Sequence, residues 1–198
     1  MPVAPLAQPV AWGAFRDEGI LLGVLGVIFV LELLRPRGSR TFAGWLLLVG
    51  AVAGAWLAWA RPVVESSLWG GVFVVDPLSR YAKGLFLIAL AVAAAASLDH
   101  MARREGEGEY YVVLGTSALG MMLLSSAGEL VSLFVALELT SISLYLLAAF
   151  MRGQVASQEA GLKYLLIGAF SGALFLFGLS LLYAATGTPM LSGLTNAL

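Results

Sequence analysis

Cysteine is absent from this 198-residue chain, which excludes disulfides, thiolate metal sites, iron–sulfur ligation and cysteine nucleophiles. Histidine occurs once, at His100, so a haem or zinc site is not expected in this chain, and one histidine near a helix end cannot supply a Ser/His/Asp set. Glycine-rich phosphate loops are also missing. Charge is scarce. Only 12% of residues are Asp, Glu, Lys or Arg, against about 25% in soluble domains. The 11 basic and 12 acidic side chains leave a net charge of −1, which gives no electrostatic case for nucleic acid. The first fifteen residues hold no Lys or Arg, a poor match to a signal peptide with a basic leading segment.

What is present is apolar. Hydrophobic residues make up 60% of the chain, and the mean hydropathy is +0.93. So few charges cannot clothe a soluble fold of this length, so the surrounding solvent is lipid. Six segments are apolar enough to cross a hydrocarbon core of about 30 Å, which takes roughly 20 helical residues. They are Gly19–Leu34, Thr41–Ala60, Leu78–Leu98, Tyr110–Ser126, Leu130–Phe150 and Gln158–Tyr183. Backbone groups in lipid must be satisfied internally, so each is read as a helix. The fold class is an all-α polytopic transmembrane bundle, one domain over 1–188 with a short tail at 189–198 that is unstructured by pattern. No convincing internal repeat relates the spans.

The breaks between spans are chemically sensible. Arg35-Pro36-Arg37-Gly38 ends the first and Arg61-Pro62 the second. Asp76-Pro77 supplies an N-cap and a first-turn proline for the third. Arg103–Glu109 is too polar for lipid, Ser126–Glu129 is a tight hinge, and Ser157 is suited to cap the sixth helix. Basic residues then orient the bundle. Seven of them (Arg35, Arg37, Arg40, Arg103, Arg104, Arg152, Lys163) follow odd-numbered spans, and four (Arg16, Arg61, Arg80, Lys83) lie at the opposite side. The bias predicts both termini outside and the odd-to-even loops in the cytoplasm.

Ionisable groups inside a span need a reason. Glu138 is the outlier: nine residues beyond Glu129 is about 13.5 Å of helical rise, close to the midplane. Ser141 and Tyr145 continue its face, with Thr140 and Ser143 flanking. Such a stripe suits a protonatable carboxylate on a proton path, or a buried acid paired with a lysine of another helix for assembly alone. Lys163 is the second candidate. Glu159 precedes it by four residues, the favoured order for a helical ion pair, so an interfacial salt pair competes with a proton-relay role. Glu32, Arg80, Lys83, Asp99 and His100 lie near span ends and are read as solvated or snorkelling. Gly50-x-x-x-Gly54 and Gly168-x-x-x-Gly172 read as close-packing sites, and Trp45, Trp56, Trp59 and Trp69 as an interfacial belt.

From helix five onward the sequence is no longer generic. Ser-Leu-Phe-Val-Ala-Leu-Glu-Leu-Thr-Ser-Ile-Ser-Leu-Tyr-Leu-Leu-Ala-Ala-Phe (132–150) resembles the fifth helix of the antiporter-like subunits of respiratory complex I. The stretch 159–178, beginning Glu-Ala-Gly-Leu-Lys-Tyr, with Leu-Leu-Tyr-Ala-Ala-Thr-Gly-Thr at 181–188, is similar to the next helix. The Leu-Lys-Tyr and Ala-Thr-Gly-Thr pieces resemble the subunit N branch of the family more than its L and M relatives. Phe73-Val74-Val75-Asp76-Pro77-Leu78-Ser79-Arg80 fits the same pattern, so the resemblance extends over about 60 to 188.

The resemblance implies a proton-translocating subunit in the membrane arm of NADH:quinone oxidoreductase, in a bacterial cell membrane, beside antiporter-like paralogues. It implies proton half-channels built on inverted repeats with broken helices at mid-membrane. Glu138 matches the family's helix-five glutamate, whose partner is a lysine on helix seven, and Lys163 matches a lysine on the cytoplasmic proton route. Against that pattern the chain stops before helix seven. Redox cofactors are expected in partner subunits (flavin and iron–sulfur clusters), none in this chain, and quinone is the substrate of the whole complex. An Mrp-type cation/proton antiporter subunit and a non-transporting assembly element are the alternatives.

Overall fold

A computed structural model describes residues 12–34, 42–62, 65–102, 104 and 106–197. After a short 3-10 turn come α1 (Arg16–Leu34), α2 (Phe42–Ala60), a hairpin of β1 (Ser66–Leu68) and β2 (Phe73–Val75), and α3 (Pro77–Met101). Then follow α4 (Glu107–Ser125), α5 (Leu130–Ala148), α6 (Val155–Thr186) and a short α7 (Leu191–Ala197). All six expected helices form. The expected break at 35–38 lies outside the described residues.

The expectation of six lipid-crossing spans needs correction. Among the described residues four helices, α2, α3, α5 and α6, are long and apolar enough to cross a membrane. Charge removes α1 from that set, because Arg16, Asp17, Glu18 and Glu32 lie within its 19 residues. Composition removes α4, which carries Glu107, Glu109, two tyrosines, Thr116 and Ser117. The physical reason is position. α1, α2, α3 and α5 all pack on α4, so its side chains meet protein more than lipid. The core is correspondingly central: Leu21, Leu25, Leu47, Leu87, Tyr111 and Met122 are all buried.

Local chemistry sets the ends. Asp76 caps α3, accepting from the Ser79 N–H at 2.6 Å while Ser79 Oγ accepts from the Asp76 N–H at 2.9 Å. This reciprocal capping box, with Pro77 in the first turn, realises the sequence expectation. Ser157 does not cap α6. The helix starts two residues earlier, and Ser157 Oγ instead donates to Ala148 O at 2.7 Å and accepts from Met151 N–H at 3.2 Å. It ties the end of α5 to the start of α6. α6 is closed by Gly187 in the left-handed region (φ 68°), where a side chain would be strained. Its 32 residues extend about 48 Å, longer than the expected 158–183 segment. The tail is also more ordered than expected, since α7 forms at 191–197.

The hairpin knits one end of the bundle. β1 and β2 pair antiparallel, Ser66 opposite Val75. β2 then holds the α4–α5 hinge: Val74 N–H donates to Ser126 O at 2.8 Å and Gly128 N–H to Val72 O at 2.8 Å. Beyond α6 the chain returns to the same place, where Leu130 N–H donates to Pro189 O at 2.9 Å. Glycines permit the tight helix crossings. A Cβ at Gly50 would meet Val24 of α1 at 2.7 Å, and one at Gly54 would meet Leu87 of α3 at 3.2 Å. The Gly50/Gly54 pair is therefore a bundle contact.

Candidate functional site

α5 is apolar along most of its length; Glu138 and Tyr145 face α6, while Thr140, two residues after Glu138, faces Gly120 of α4. Two of the hydroxyls satisfy their own helix: Thr140 Oγ1 donates to Ala136 O at 3.1 Å and Ser143 Oγ to Leu139 O at 2.7 Å. Such back-bonding keeps hydroxyls stable in an apolar helix. Glu138 is half-buried at the α5–α6 interface. Among the described residues it makes no ion pair and no hydrogen bond.

The second glycine pair does more than close-pack. A Cβ at Gly172 would fall 2.6 Å from Glu138 Oε1, and one at Gly168 would run into the Tyr145 hydroxyl. So Gly168 and Gly172 leave the space on α6 that the two polar groups of α5 occupy. Sequence reasoning treats these glycines as generic. Their register against Glu138 and Tyr145 is the signal it misses. Below them the Tyr145 and Tyr164 rings meet edge to face at 4.7 Å. Glu138, Tyr145 and Tyr164 thus line one seam between α5 and α6.

Lys163 is placed apart from Glu138. Nine residues separate it from Gly172 along α6, about 13.5 Å of rise. Its Nζ pairs with Glu159 Oε1 at 2.6 Å, and both side chains are more than half exposed, as the spacing suggests. Glu32, Asp99 and His100 are not buried either, in line with their solvated reading. Arg80 donates to Pro62 O at 2.7 Å at the end of the bundle.

Lys83 overturns the snorkelling reading. Its side chain is 1% exposed, and its Nζ lies 2.7 Å from Glu18 Oε1, itself on a side chain 2% exposed. The ammonium also sits 4.9 Å from the centre of the Phe73 ring. A pattern in α3 carries the signal: Ser79, Lys83, Leu87, Leu90 and Ala94 follow one another at helical spacing on the buried face. Position 83 belongs to the core stripe, whatever its chemistry.

At the other end, Glu107 starts α4 before the apolar run and is buried. Burial pushes its carboxyl up to about 7; the Gly44 backbone N–H opposes the shift and the charge of Glu32 adds to it. The sequence alone places Glu107 in a polar loop. Nearby, Arg152 and Glu109 pair in the open at 2.8 Å.

Comparison with known proteins fixes the lineage. The family described as NADH:quinone oxidoreductase/Mrp antiporter, TM, matches residues 127–198. NADH-quinone oxidoreductase subunit N 2 of Roseiflexus castenholzii is 39% identical over 191 residues, covering 96% of this chain and 38% of the relative. The chain belongs to this family. Subunit N of Moorella thermoacetica is 41% identical over 180 residues, covering 90% of this chain and again 38% of the relative. Among solved structures, a chain of Thermus thermophilus respiratory complex I with bound Aureothin superposes with a TM-score of 0.70 at 32% identity. That match covers 88% of this chain and 38% of the other. A chain of the Mrp complex from Dietzia sp. shares the fold, with a TM-score of 0.74 at 24% identity, covering 92% of this chain and 20% of the other. This antiporter-like chain therefore spans well under half the length of the subunit N relatives it matches.

Proposed function

We propose that this chain is part of a proton-translocating subunit in the membrane arm of a bacterial NADH:quinone oxidoreductase. Glu138 is the group that takes up and gives up the proton, and Lys163 lies on its route from the cytoplasmic side. The observation that carries this reading is Glu138 facing Gly172 across the α5–α6 seam, deep in an apolar helix with no cation on the same helix. A carboxylate there is costly when ionised and unpaired, so it must be protonated or meet a cation from outside the chain. Alternation between those two conditions is what a proton relay requires.

The partners on this reading are the other membrane-arm subunits and the lipid bilayer. Redox chemistry belongs to other chains of the complex, and quinone is its substrate rather than a ligand of this bundle. On this reading α1 and α4, though less apolar, also traverse the bilayer as parts of the bundle, so that the termini lie outside and residues 103–109 and 152–157 lie in the cytoplasm, as the distribution of Lys and Arg favours.

An Mrp-type cation/proton antiporter is the second reading, favoured by the shared fold of the Dietzia Mrp chain. The test uses inside-out vesicles from cells carrying or lacking the full-length gene. NADH-driven acidification that needs the gene supports the oxidoreductase. Cation-driven proton exchange that needs the gene, with NADH-driven acidification intact, supports the antiporter and overturns the first reading.

A further inference from the structure

We propose that Glu18 and Lys83 form a second proton-exchanging pair, at the hairpin end of the bundle and separate from Glu138. The proposal rests on the proton-translocation reading and adds a site to it.

The geometry is a single short contact sealed from solvent: 2.7 Å between Lys83 Nζ and Glu18 Oε1, with side chains 1% and 2% exposed. Stability does not account for such a pair. Removing two charges from water costs about as much as their contact returns, and apolar side chains of similar volume hold helices together equally well. A lysine and a glutamate at these positions therefore call for a use of their charge.

The surroundings make that charge easy to switch. Among the described side chains only Lys83 supports the ionised Glu18 carboxylate, and the other support is Glu18's own backbone N–H. Among the described residues, Lys83, from α3, and Asp17, from its own helix, act on it through their charge. Arg80, one turn away on α3, is already committed to Pro62 O. Lys83 is held in place from the other side by the Phe73 ring, an attraction that keeps an ammonium charged without neutralising it.

Access is short. Arg16 is exposed and Asp17 beside it is buried, so Glu18 lies two residues along the chain from the surface of the bundle. The step is a proton exchange with no electron moved. The Glu18 carboxylate accepts one proton and becomes a carboxylic acid while Lys83 remains an ammonium; loss of that proton restores the ion pair.

A simple clasp between α1 and α3 would show the same contact, and two measurements on the assembled full-length complex separate the roles. The first is the neutral double variant Glu18→Gln with Lys83→Met. A clasp tolerates it, because no buried charge is left unpaired. The proposal expects normal assembly with NADH-driven acidification reduced several-fold, and acidification at the wild-type rate overturns it. The second is infrared difference spectroscopy of the complex during turnover, which does not depend on that variant's folding. A carboxylic-acid band that moves in Glu18→Asp is expected, and the absence of any band sensitive to Glu18→Asp overturns the proposal. Glu138→Gln is run alongside. If it abolishes acidification while the double variant does not, the Glu18–Lys83 proposal fails and the translocation reading stands. If neither variant changes acidification, the translocation reading itself fails.

Discussion

Glu138 of α5 and Gly172 of α6 face each other so closely that a Cβ at position 172 would lie 2.6 Å from Glu138 Oε1. That relationship gives the small residue a purpose. Glycine lowers helix propensity by about 1 kcal/mol relative to alanine, yet here it makes room for a carboxyl group within an apolar seam. Gly168 does the same for the Tyr145 hydroxyl.

Gly172→Ala is therefore expected to disturb Glu138 without weakening α6. Alanine favours the helix, so the variant should assemble normally while NADH-driven acidification in inside-out vesicles falls. Gly178→Ala is the control, since a Cβ there meets nothing within 4 Å. Equal acidification in the two variants would show that the space at Gly172 is not used.

Lys163 and Glu159 pair in the open, where an i,i+4 ion pair contributes about 0.3–0.5 kcal/mol. Lys163→Gln should leave the melting temperature of the solubilised complex nearly unchanged but slow acidification. Glu159→Gln should leave both alone. Matching losses in the two variants would assign the pair to structure and remove Lys163 from the route.

Much of this is legible in the sequence, and the gaps have physical causes. Asp76-Pro77 marks the start of α3 because its capping chemistry is local. Glu138 stands out because depth along a helix is simple arithmetic. Lys83 is misread when depth alone is considered: the helical spacing of the buried face of α3 includes position 83, but its partner, Glu18, comes from a helix distant in sequence. α4 reads as a lipid-crossing span because periodicity does not reveal that a helix is surrounded by four others. Ser157 looks like a cap because Ser at a helix start usually is one. Its hydroxyl finds a better acceptor in Ala148 O, which only the α5–α6 turn brings near.

The hairpin should be intolerant of bulk where it meets the hinge. A Cβ at Gly128 would collide with the backbone oxygen of Gly71, and backbone cannot yield as a side chain end can. Gly128→Ala is expected to destabilise the protein by about 1–3 kcal/mol, the usual cost of overpacking. Thermal unfolding of the solubilised protein measures it; an unchanged midpoint would mean that the hairpin is not held against the hinge.

Glu107 gives a pH dependence. Its carboxyl titrates at about 7 in the fold, against 4.5 for an unperturbed glutamate, so the folded state holds a proton that the unfolded chain releases. The stability from Glu107 is then fully present below about 4.5, declines as pH rises between the two values, and is lost above about 7. Glu107→Gln, which stays neutral, should flatten that decline and melt higher than the wild type at pH ~8. Parallel pH profiles for the two proteins would refute this.

The central claim is that Glu138 carries a proton, and its most direct test is the rate of NADH-driven acidification in inside-out vesicles, normalised to assembled complex. Glu138→Gln keeps the shape but removes the titration. The account expects this variant to assemble as the wild type does and to lose most of its acidification and coupled quinone reduction, with Glu138→Asp, one methylene shorter and still titratable, retaining more of both. Wild-type acidification in Glu138→Gln would contradict the account and leave Glu138 as a structural acid.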